Sequence, residues 1–283
     1  MSGREIGFGF SPCPNDTFAF HAATHGRVDT KGWRLRFELA DVEQLNQRAL
    51  AAELELSKLS FPALGRVLGR YGLLRAGAAL GRGCGPLVVC KPGFDPADLG
   101  RVEVAVPGLN TTAFMLLALY LGKVPSAVPM VFDQVMAACA QGEYKAGVII
   151  HEGRFTYGNH GLEAPLDLGA WWEETTGLPI PLGCIATRRD LGPAAAAELE
   201  QVLAASVAHG LAHPADSQEY VLAHSQEMEP AVTAAHIELY VNDFSRELGD
   251  EGLAAVRELL HRGQEVGLLP TPERPLLASQ EKF

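Results

Sequence analysis

The sequence predicts an α/β protein with two lobes, and three observations support this fold class. Short apolar segments alternate with helical segments as far as His151, the order expected of parallel strands joined by helices. Residues 91–100, "KPGFDPADLG", are rich in proline and glycine and separate two such sets. With 283 residues, 47% of them apolar, the chain is long enough to bury two cores.

The first set of strands and helices ends near Lys91. Asn15 or Asp16 is predicted to cap its first helix, and Asp41 with Gln44 gives its second helix a start that resembles a capping box. The predicted strands are "EIGFGF", "WRLRFEL", "LELSKLS" and "CGPLVVCK". The predicted helices are "NDTFAFHAATHG", "DVEQLNQRALAAE" and "FPALGRVLGRYG".

A second set of strands and helices is followed by a helical tail. Its predicted strands are "RVEVAVPG", "VPMVF" and "KAGVIIH", and its predicted helices are "TTAFMLLALYLG" and "DQVMAACAQG". After "LGCIATRRDL" the chain is nearly all helical to Leu269, and such a tail must pack on a sheet that is already formed, which we expect to be the first. We therefore predict a larger lobe of residues 1–97 and 188–283 and a smaller lobe of residues 98–187.

Charge and composition restrict the partners. The net charge is −11, and no run of lysines or arginines is present that could neutralise successive phosphates. No segment reaches the roughly 18 consecutive apolar residues of a membrane span, and the first residues, "MSGREIGF", do not resemble a secretory signal. We expect a cytoplasmic protein that binds a small molecule, with no nucleic acid, membrane or obligate protein partner.

Cysteines and histidines form no pattern typical of a metal site. The five cysteines include no C-x-x-C pair, so we expect reduced thiols. The pairs His21/His25 and His209/His213 have helical spacing but lack the glutamate of H-E-x-x-H. The segment "GRGCG" lacks the spacing of nucleotide-binding loops. No metal and no cofactor are predicted.

Polar loops follow several predicted strands, and ligands of open α/β sheets bind beyond the carboxyl ends of strands. In the first of these loops, "FSPCPNDTF", two prolines fix the backbone. Asp16 either caps the following helix or faces a ligand. The Cys13 thiol has no evident basic partner, so we expect it to be unreactive.

Two further loops carry candidate ligand-binding side chains. After the third predicted strand, Ser60 either caps a helix or contacts a ligand, and Lys58 is either a solvated charge or a partner for an anion. Before the first helix of the second set, the Thr111 and Thr112 hydroxyls adjoin free helix amides. Such a helix start suits a carboxylate or phosphate, although threonines here often serve only as caps.

His151 alone among the nine histidines directly follows a predicted buried strand. Such a strand would deliver its imidazole to the edge of the sheet where ligands bind. Because an imidazole can take up a proton at neutral pH, His151 is a candidate general base. The alternative is a histidine that is merely hydrogen-bonded at the end of a strand.

Several segments together resemble the 1,4-dihydroxy-6-naphthoate synthase family, which acts in the futalosine route to menaquinone. The similarity extends over nearly the whole chain. The segments that carry it include "FSPCPNDTF", "SKLS", "IIHE", "RFTY", "DLGAWWEE" and "PLG".

This resemblance implies a type II periplasmic-binding-protein-like fold, in which two α/β lobes enclose a central cleft. It implies a lyase that converts cyclic dehypoxanthine futalosine to 1,4-dihydroxy-6-naphthoate, releasing dihydroxyacetone without a cofactor. The substrate is a small-molecule carboxylate. The catalytic base of the family matches His151. The substrate contacts of the family match Lys58, Leu59, Ser60, Thr112 and Ala113. Asn46 matches a position near the pocket.

Two other functions remain open at this point. A solute-binding protein of the same fold would need the cleft but no chemistry. The sister enzyme of the pathway, a chorismate dehydratase, would share the fold and act on a different substrate. Turnover of cyclic dehypoxanthine futalosine would distinguish all three.

Overall fold

The computed structural model describes residues 4–151, 153–225 and 229–281. Its strands form two sheets, and we call the part of the chain built on each sheet the first and the second lobe. In chain order the strands are β1 (Arg4–Phe10), β2 (Trp33–Leu39), β3 (Leu56–Ser60), β4 (Tyr71–Leu73), β5 (Ala79–Gly81), β6 (Leu87–Cys90), β7 (Val104–Val106), β8 (Ala127–Pro129), β9 (Ala146–Ile149), β10 (Glu163–Asp167) and β11 (Ile180–Arg188).

The helices cover the sheets, and the C-terminal ones return to the first lobe as predicted. In chain order they are α1 (Pro14–Thr24), α2 (Val42–Leu50), α3 (Phe61–Val67), α4 (Thr112–Leu121), α5 (Phe132–Gln141), α6 (Gly153–Thr156), α7 (Leu168–Thr176), α8 (Pro193–Ala212), α9 (Gln218–His224), α10 (Pro230–Tyr240), α11 (Asp243–Arg246) and α12 (Gly249–Glu265). Helix α8 packs on α1, and α12 packs on α3 and β11. None of the helices in the described ranges is long and apolar enough to cross a membrane.

Both sheets are mixed, which corrects the prediction of parallel sheets. The first has the order β2-β1-β3-β11-β4, with β5 also paired to β11, and the second has the order β10-β6-β9-β7-β8. Strand β1 runs parallel to β2, from Arg4 opposite Trp33 to Phe10 opposite Leu39. Strands β11 and β6 are antiparallel to β3 and β9. Each enters its sheet from the other lobe, without the crossover helix that makes neighbouring strands parallel.

The sheet membership of two strands differs from the predicted division of the lobes. Strand β6 belongs to the second sheet and β11 to the first, whereas a division at 97/98 and 187/188 assigns each to the other lobe. The proline- and glycine-rich residues 91–100 therefore form a connection inside the second lobe. Composition alone does not distinguish such a loop from a linker between lobes.

The start of α1 also differs from its prediction. The helix begins at Pro14 with Cys13 at the N-cap position, and no side chain caps it. Asp41, in contrast, caps α2 as predicted, because its carboxylate accepts hydrogen bonds from the amides of Glu43 and Gln44. The carboxylate of Asp16 is thus available for other partners.

An aromatic cluster supports the loop between β1 and α1. Phe8, Phe10 and Phe20 are fully buried, and their ring centroids lie 4.9 to 5.4 Å apart. Rings packed at tilted or edge-to-face angles in this way add to the stability gained from burial alone. The cluster holds β1 against α1 and so gives the loop between them a rigid base.

A substitution at Gly169 should show how tightly the connection between β5 and β6 packs against α7. A Cβ atom at Gly169 would lie 1.9 Å from the carbonyl oxygen of Cys84. We expect Gly169→Ala to lower the free energy of unfolding in urea by about 1–3 kcal/mol or more, because the backbone must move. Gly158→Ala is the control, since no atom lies within 4 Å of its added Cβ. Equal effects of the two substitutions would contradict this packing.

Candidate active site

A cavity lies between the two lobes and is lined by segments of both. These segments are the start of α1, β3, the start of α4, the residues after β9, β11 and α10. Several hydrogen bonds join the lobes beside it, among them the bond from the Asn46 side-chain amide to the carbonyl of Asn110 at 3.5 Å. Asn110, before α4, donates to Glu43 of α2 at 2.7 Å, and the hydroxyl of Thr112 donates to the carbonyl of Leu182 in β11 at 2.6 Å.

Lys58 and Asp16 form a buried ion pair in the wall of this cavity. Lys58 Nζ lies 2.5 Å from Asp16 Oδ1, and the two side chains are 7% and 2% exposed. Asp16 also accepts hydrogen bonds from the hydroxyl of Ser11 at 2.7 Å and the side-chain amide of Asn15 at 2.8 Å. Lys58 is therefore not a solvated charge and Asp16 is not a helix cap. Their charges compensate each other, so the pair adds no net charge to the cavity.

Ser60 lines the cavity and is oriented by Asn46. Asn46 is fully buried and lies behind the cavity lining. Its Oδ1 accepts from the Ser60 amide at 2.9 Å, and its Nδ2 donates to Ser60 Oγ at 3.2 Å. Because Oγ already accepts a bond, its own proton can be donated to a ligand. Ser60 makes no capping bond to α3, so the ligand-facing interpretation of this residue is the better one.

Leu59 differs from its neighbours in the same strand. Its side chain is fully buried in the hydrophobic core, and the residue is not part of the cavity lining. Successive side chains of a strand point to opposite faces, so Lys58 and Ser60 face the cavity while Leu59 faces away. Its backbone pairs with Cys184 of β11. The structure therefore shows no route for the Leu59 side chain to a ligand in the cavity.

The start of α4 offers backbone amides rather than hydroxyls. Thr111 caps the helix by accepting from the Phe114 amide at 3.2 Å, and the Thr112 hydroxyl donates to Leu182. Thr111 Oγ1 also donates to the carbonyl of Gly108 at 2.7 Å, so both hydroxyl protons are engaged with carbonyl oxygens. Among the residues that the structure describes, no acceptor occurs for the amides of Thr112 and Ala113, both in the cavity lining. Free amides at a helix start attract anions.

His151 lies in the cavity wall, two residues beyond the end of β9. Its φ is 57°, a left-handed conformation that costs a non-glycine residue roughly 1–2 kcal/mol. Its Nδ1 lies 3.5 Å from Cys13 Sγ, and the ring meets Phe132 edge-on with the centroids 4.8 Å apart. The sequence showed no evident basic partner for Cys13, because this partner is 138 residues away.

His236 is a further cavity residue, and the sequence analysis missed it. It belongs to α10, is 1% exposed, and its ring centroid lies 6.3 Å from that of His151. Its Nε2 lies 3.0 Å from Asn15 Oδ1. Burial, with smaller contributions from His151 and Lys58, lowers the pKa of His236 well below its ordinary value. No local pattern marks this histidine, because only the packing of α10 brings it to the cavity.

The structure also bears on metal binding. Across the described ranges, no group of three or more histidine, cysteine, aspartate or glutamate side chains could hold a metal ion. The polar groups in the cavity lining include the ion pair, the Ser60 hydroxyl, two helix amides, two imidazoles and the side chains of Asn15 and Tyr240. Such groups can bind an anion and transfer a proton.

Breaking the buried ion pair should destabilise the protein strongly. In Lys58→Met the aliphatic stem remains, but the carboxylate of Asp16 loses its charge partner. We expect the free energy of unfolding in urea to fall by about 3–5 kcal/mol, the usual effect of an uncompensated buried charge. The double variant Lys58→Met/Asp16→Asn should recover part of this loss. A double variant no more stable than Lys58→Met would argue against a charge effect.

Comparison with known proteins assigns the family. Residues 6–265 match the family model described as menaquinone biosynthesis. Two curated relatives are both named 1,4-dihydroxy-6-naphthoate synthase. The Thermus thermophilus relative is 50% identical, with 95% of this chain and 97% of the relative covered. The Streptomyces coelicolor relative is 46% identical, with 95% and 96% covered.

Solved structures show the fold. A crystal structure of an Archaeoglobus fulgidus protein has a TM-score of 0.87 at 35% identity, with 94% of this chain and 98% of that chain covered. A Candida albicans protein with the generic periplasmic-binding-protein fold has a TM-score of 0.67 at 12% identity, with 94% and 91% covered. The fold is thus that of the periplasmic binding proteins. With relatives along nearly its whole length, the chain belongs to the 1,4-dihydroxy-6-naphthoate synthase family of menaquinone biosynthesis.

Proposed function

We propose that the protein is a cytoplasmic lyase that converts cyclic dehypoxanthine futalosine to 1,4-dihydroxy-6-naphthoate and dihydroxyacetone, with His151 as general base. Membership of an enzyme family supports the reaction. The observation that carries the role of His151 is its place in the cavity wall, in a left-handed backbone conformation beside Cys13. Strained conformations of this kind are concentrated at functional sites.

The carboxylate of the substrate would bind at the start of α4. The amides of Thr112 and Ala113 can donate to it, and the Ser60 hydroxyl supplies a third donor from the other lobe. The positive end of the helix dipole favours an anion at this place. Lys58 would act indirectly, because Asp16 already neutralises it. The carboxylate would thus be bound by neutral donors from both lobes.

His151 would act on the sugar-derived part of the substrate. Release of a three-carbon fragment leaves a ring that becomes aromatic, so a proton must leave the sugar-derived part as electrons move toward that ring. Contact with Cys13 at Nδ1 permits the tautomer in which Nδ1 carries the proton and Nε2 is basic. Nε2 would then accept the proton from the substrate.

Replacing the base should abolish most turnover while binding is kept. Asparagine tolerates a left-handed φ better than most residues, so His151→Asn should fold normally. We expect turnover of cyclic dehypoxanthine futalosine to fall by at least about 10²-fold, with the affinity for 1,4-dihydroxy-6-naphthoate nearly unchanged. His160→Asn, an exposed site in the same connection, is the control. Near-normal turnover in His151→Asn would refute the role of His151, and a wild type that binds but never turns over substrate would indicate a solute-binding protein.

Removing the Ser60 hydroxyl should weaken binding more than it slows the chemical step. A hydrogen bond to a charged group contributes about 1.5–3 kcal/mol, so Ser60→Ala should raise KM by about 10- to 150-fold with kcat little changed. Ser57→Ala is a matched control, because Ser57 is equally buried in the same strand but lies outside the cavity lining. A fall in kcat at constant KM would show that Ser60 has another role.

A further inference from the structure

His236 is the one cavity histidine for which the proposed mechanism has no use. The residue is 1% exposed and lines the cavity on the side formed by α10. Its Nδ1 is buried and has no hydrogen-bond partner among the described residues. Native proteins rarely leave a buried polar atom unpaired, so such an atom beside a cavity calls for an explanation.

The neighbouring hydrogen bonds determine which nitrogen of His236 carries the proton. Asn15 Nδ2 donates to Asp16 Oδ1 at 2.8 Å, which turns the Oδ1 of Asn15 toward His236 Nε2. A carbonyl oxygen can only accept, so Nε2 must carry the proton. In the neutral ring Nδ1 then has a free lone pair, and it is an acceptor. Burial keeps the ring neutral by lowering its pKa.

An acceptor at this position selects a particular kind of ligand group. An ionised carboxylate has no proton to donate to Nδ1. Its oxygen lone pair and the lone pair of Nδ1 would repel each other. A hydroxyl group can donate to Nδ1 and satisfy it. In the proposed reaction both the ring that becomes aromatic and the sugar-derived fragment carry hydroxyl groups.

We propose that His236 is a ligand-binding residue whose Nδ1 accepts a hydrogen bond from a hydroxyl group of the ligand. This inference rests on the proposed function, which supplies a hydroxyl-bearing ligand. The bond would place a hydroxyl beside α10 while the carboxylate lies at the start of α4. Two anchors from different elements would then orient the ligand relative to His151.

Two substitutions separate the acceptor from the bond to Asn15. The terminal amide of His236→Gln can replace Nε2 as the donor to Asn15 but provides no acceptor at the place of Nδ1. In His236→Asn the side-chain oxygen can occupy the place of Nδ1, while the bond to Asn15 is lost. If His236 has only a structural role, Asn should be the more harmful replacement. If Nδ1 binds the ligand, His236→Gln should be the more harmful replacement.

Binding of two related compounds provides the test. The affinities of wild type and both variants are measured by calorimetry for 1,4-dihydroxy-6-naphthoate and for 2-naphthoate, which keeps the ring and carboxylate but has no hydroxyls. Turnover of cyclic dehypoxanthine futalosine is measured in parallel. We expect His236→Gln to lose about 10-fold or more in affinity for the dihydroxy compound or in kcat/KM. Its affinity for 2-naphthoate should stay unchanged, and His236→Asn should lose less than His236→Gln.

The pattern of losses identifies the hydroxyl group. A loss of affinity for the dihydroxy compound indicates a ring hydroxyl, and a loss confined to kcat/KM indicates a hydroxyl of the sugar-derived fragment. Equal losses for both naphthoates, or no loss in any measurement, would overturn the inference and leave the proposed function intact. A wild type that neither binds 1,4-dihydroxy-6-naphthoate nor turns over the substrate would overturn both.

A crystal structure of the wild type with both products decides the question even if neither variant folds. We expect a hydroxyl oxygen of 1,4-dihydroxy-6-naphthoate or dihydroxyacetone within about 3.2 Å of His236 Nδ1. A structure in which both products are bound but neither reaches Nδ1 would overturn the inference.

Discussion

The ion pair between Lys58 and Asp16 is the contact on which the arrangement of the cleft depends, because it joins β3 to the start of α1. Asp16 also orients Ser11 and Asn15, and Asn15 in turn fixes the proton of His236. A single buried charge pair thus organises polar groups from three separate elements. Because the pair is neutral as a whole, the cavity presents directed hydrogen-bond donors and not an exposed cation.

The amides at the start of α4 and the backbone of His151 depend on the surrounding structure to different degrees. The free amides at the start of α4 follow from helix geometry and need no special residue. The left-handed backbone of His151 is locally unfavourable, so the surrounding packing must hold it. Phe132 and Cys13 contact its ring from two sides. The backbone conformation of His151, to which we assign the chemistry, therefore lowers the stability of the folded protein. The burial of aromatic and aliphatic side chains elsewhere offsets that loss.

Local sequence patterns predicted the elements well but not their spatial partners. The apolar run before His151 correctly indicated a strand, which the structure places next to the cavity wall, and Asp41 was correctly predicted as a cap because capping acts over three residues. The contacts that the sequence could not reveal join distant positions. Lys58 and Asp16 are 42 residues apart, His151 and Cys13 are 138 apart, and His236 and Asn15 are 221 apart. The antiparallel directions of β6 and β11 were missed for the same reason, since pairing direction depends on which lobe a strand comes from.

Hydrogen bonds between the lobes have a consequence for the exchange of ligands. Asn110 with Glu43, and Thr112 with Leu182, must separate whenever the cleft opens. The neutral bond contributes about 0.5–1.5 kcal/mol and the bond to the Glu43 carboxylate about 1.5–3 kcal/mol, so both favour the arrangement in which the lobes meet. If the lobes separate to admit a ligand, bonds that are the same with and without ligand slow its entry and its departure by one factor, and the equilibrium preference for any ligand is unchanged. In that case these bonds set the rate of exchange, and selectivity is left to the groups inside the cavity.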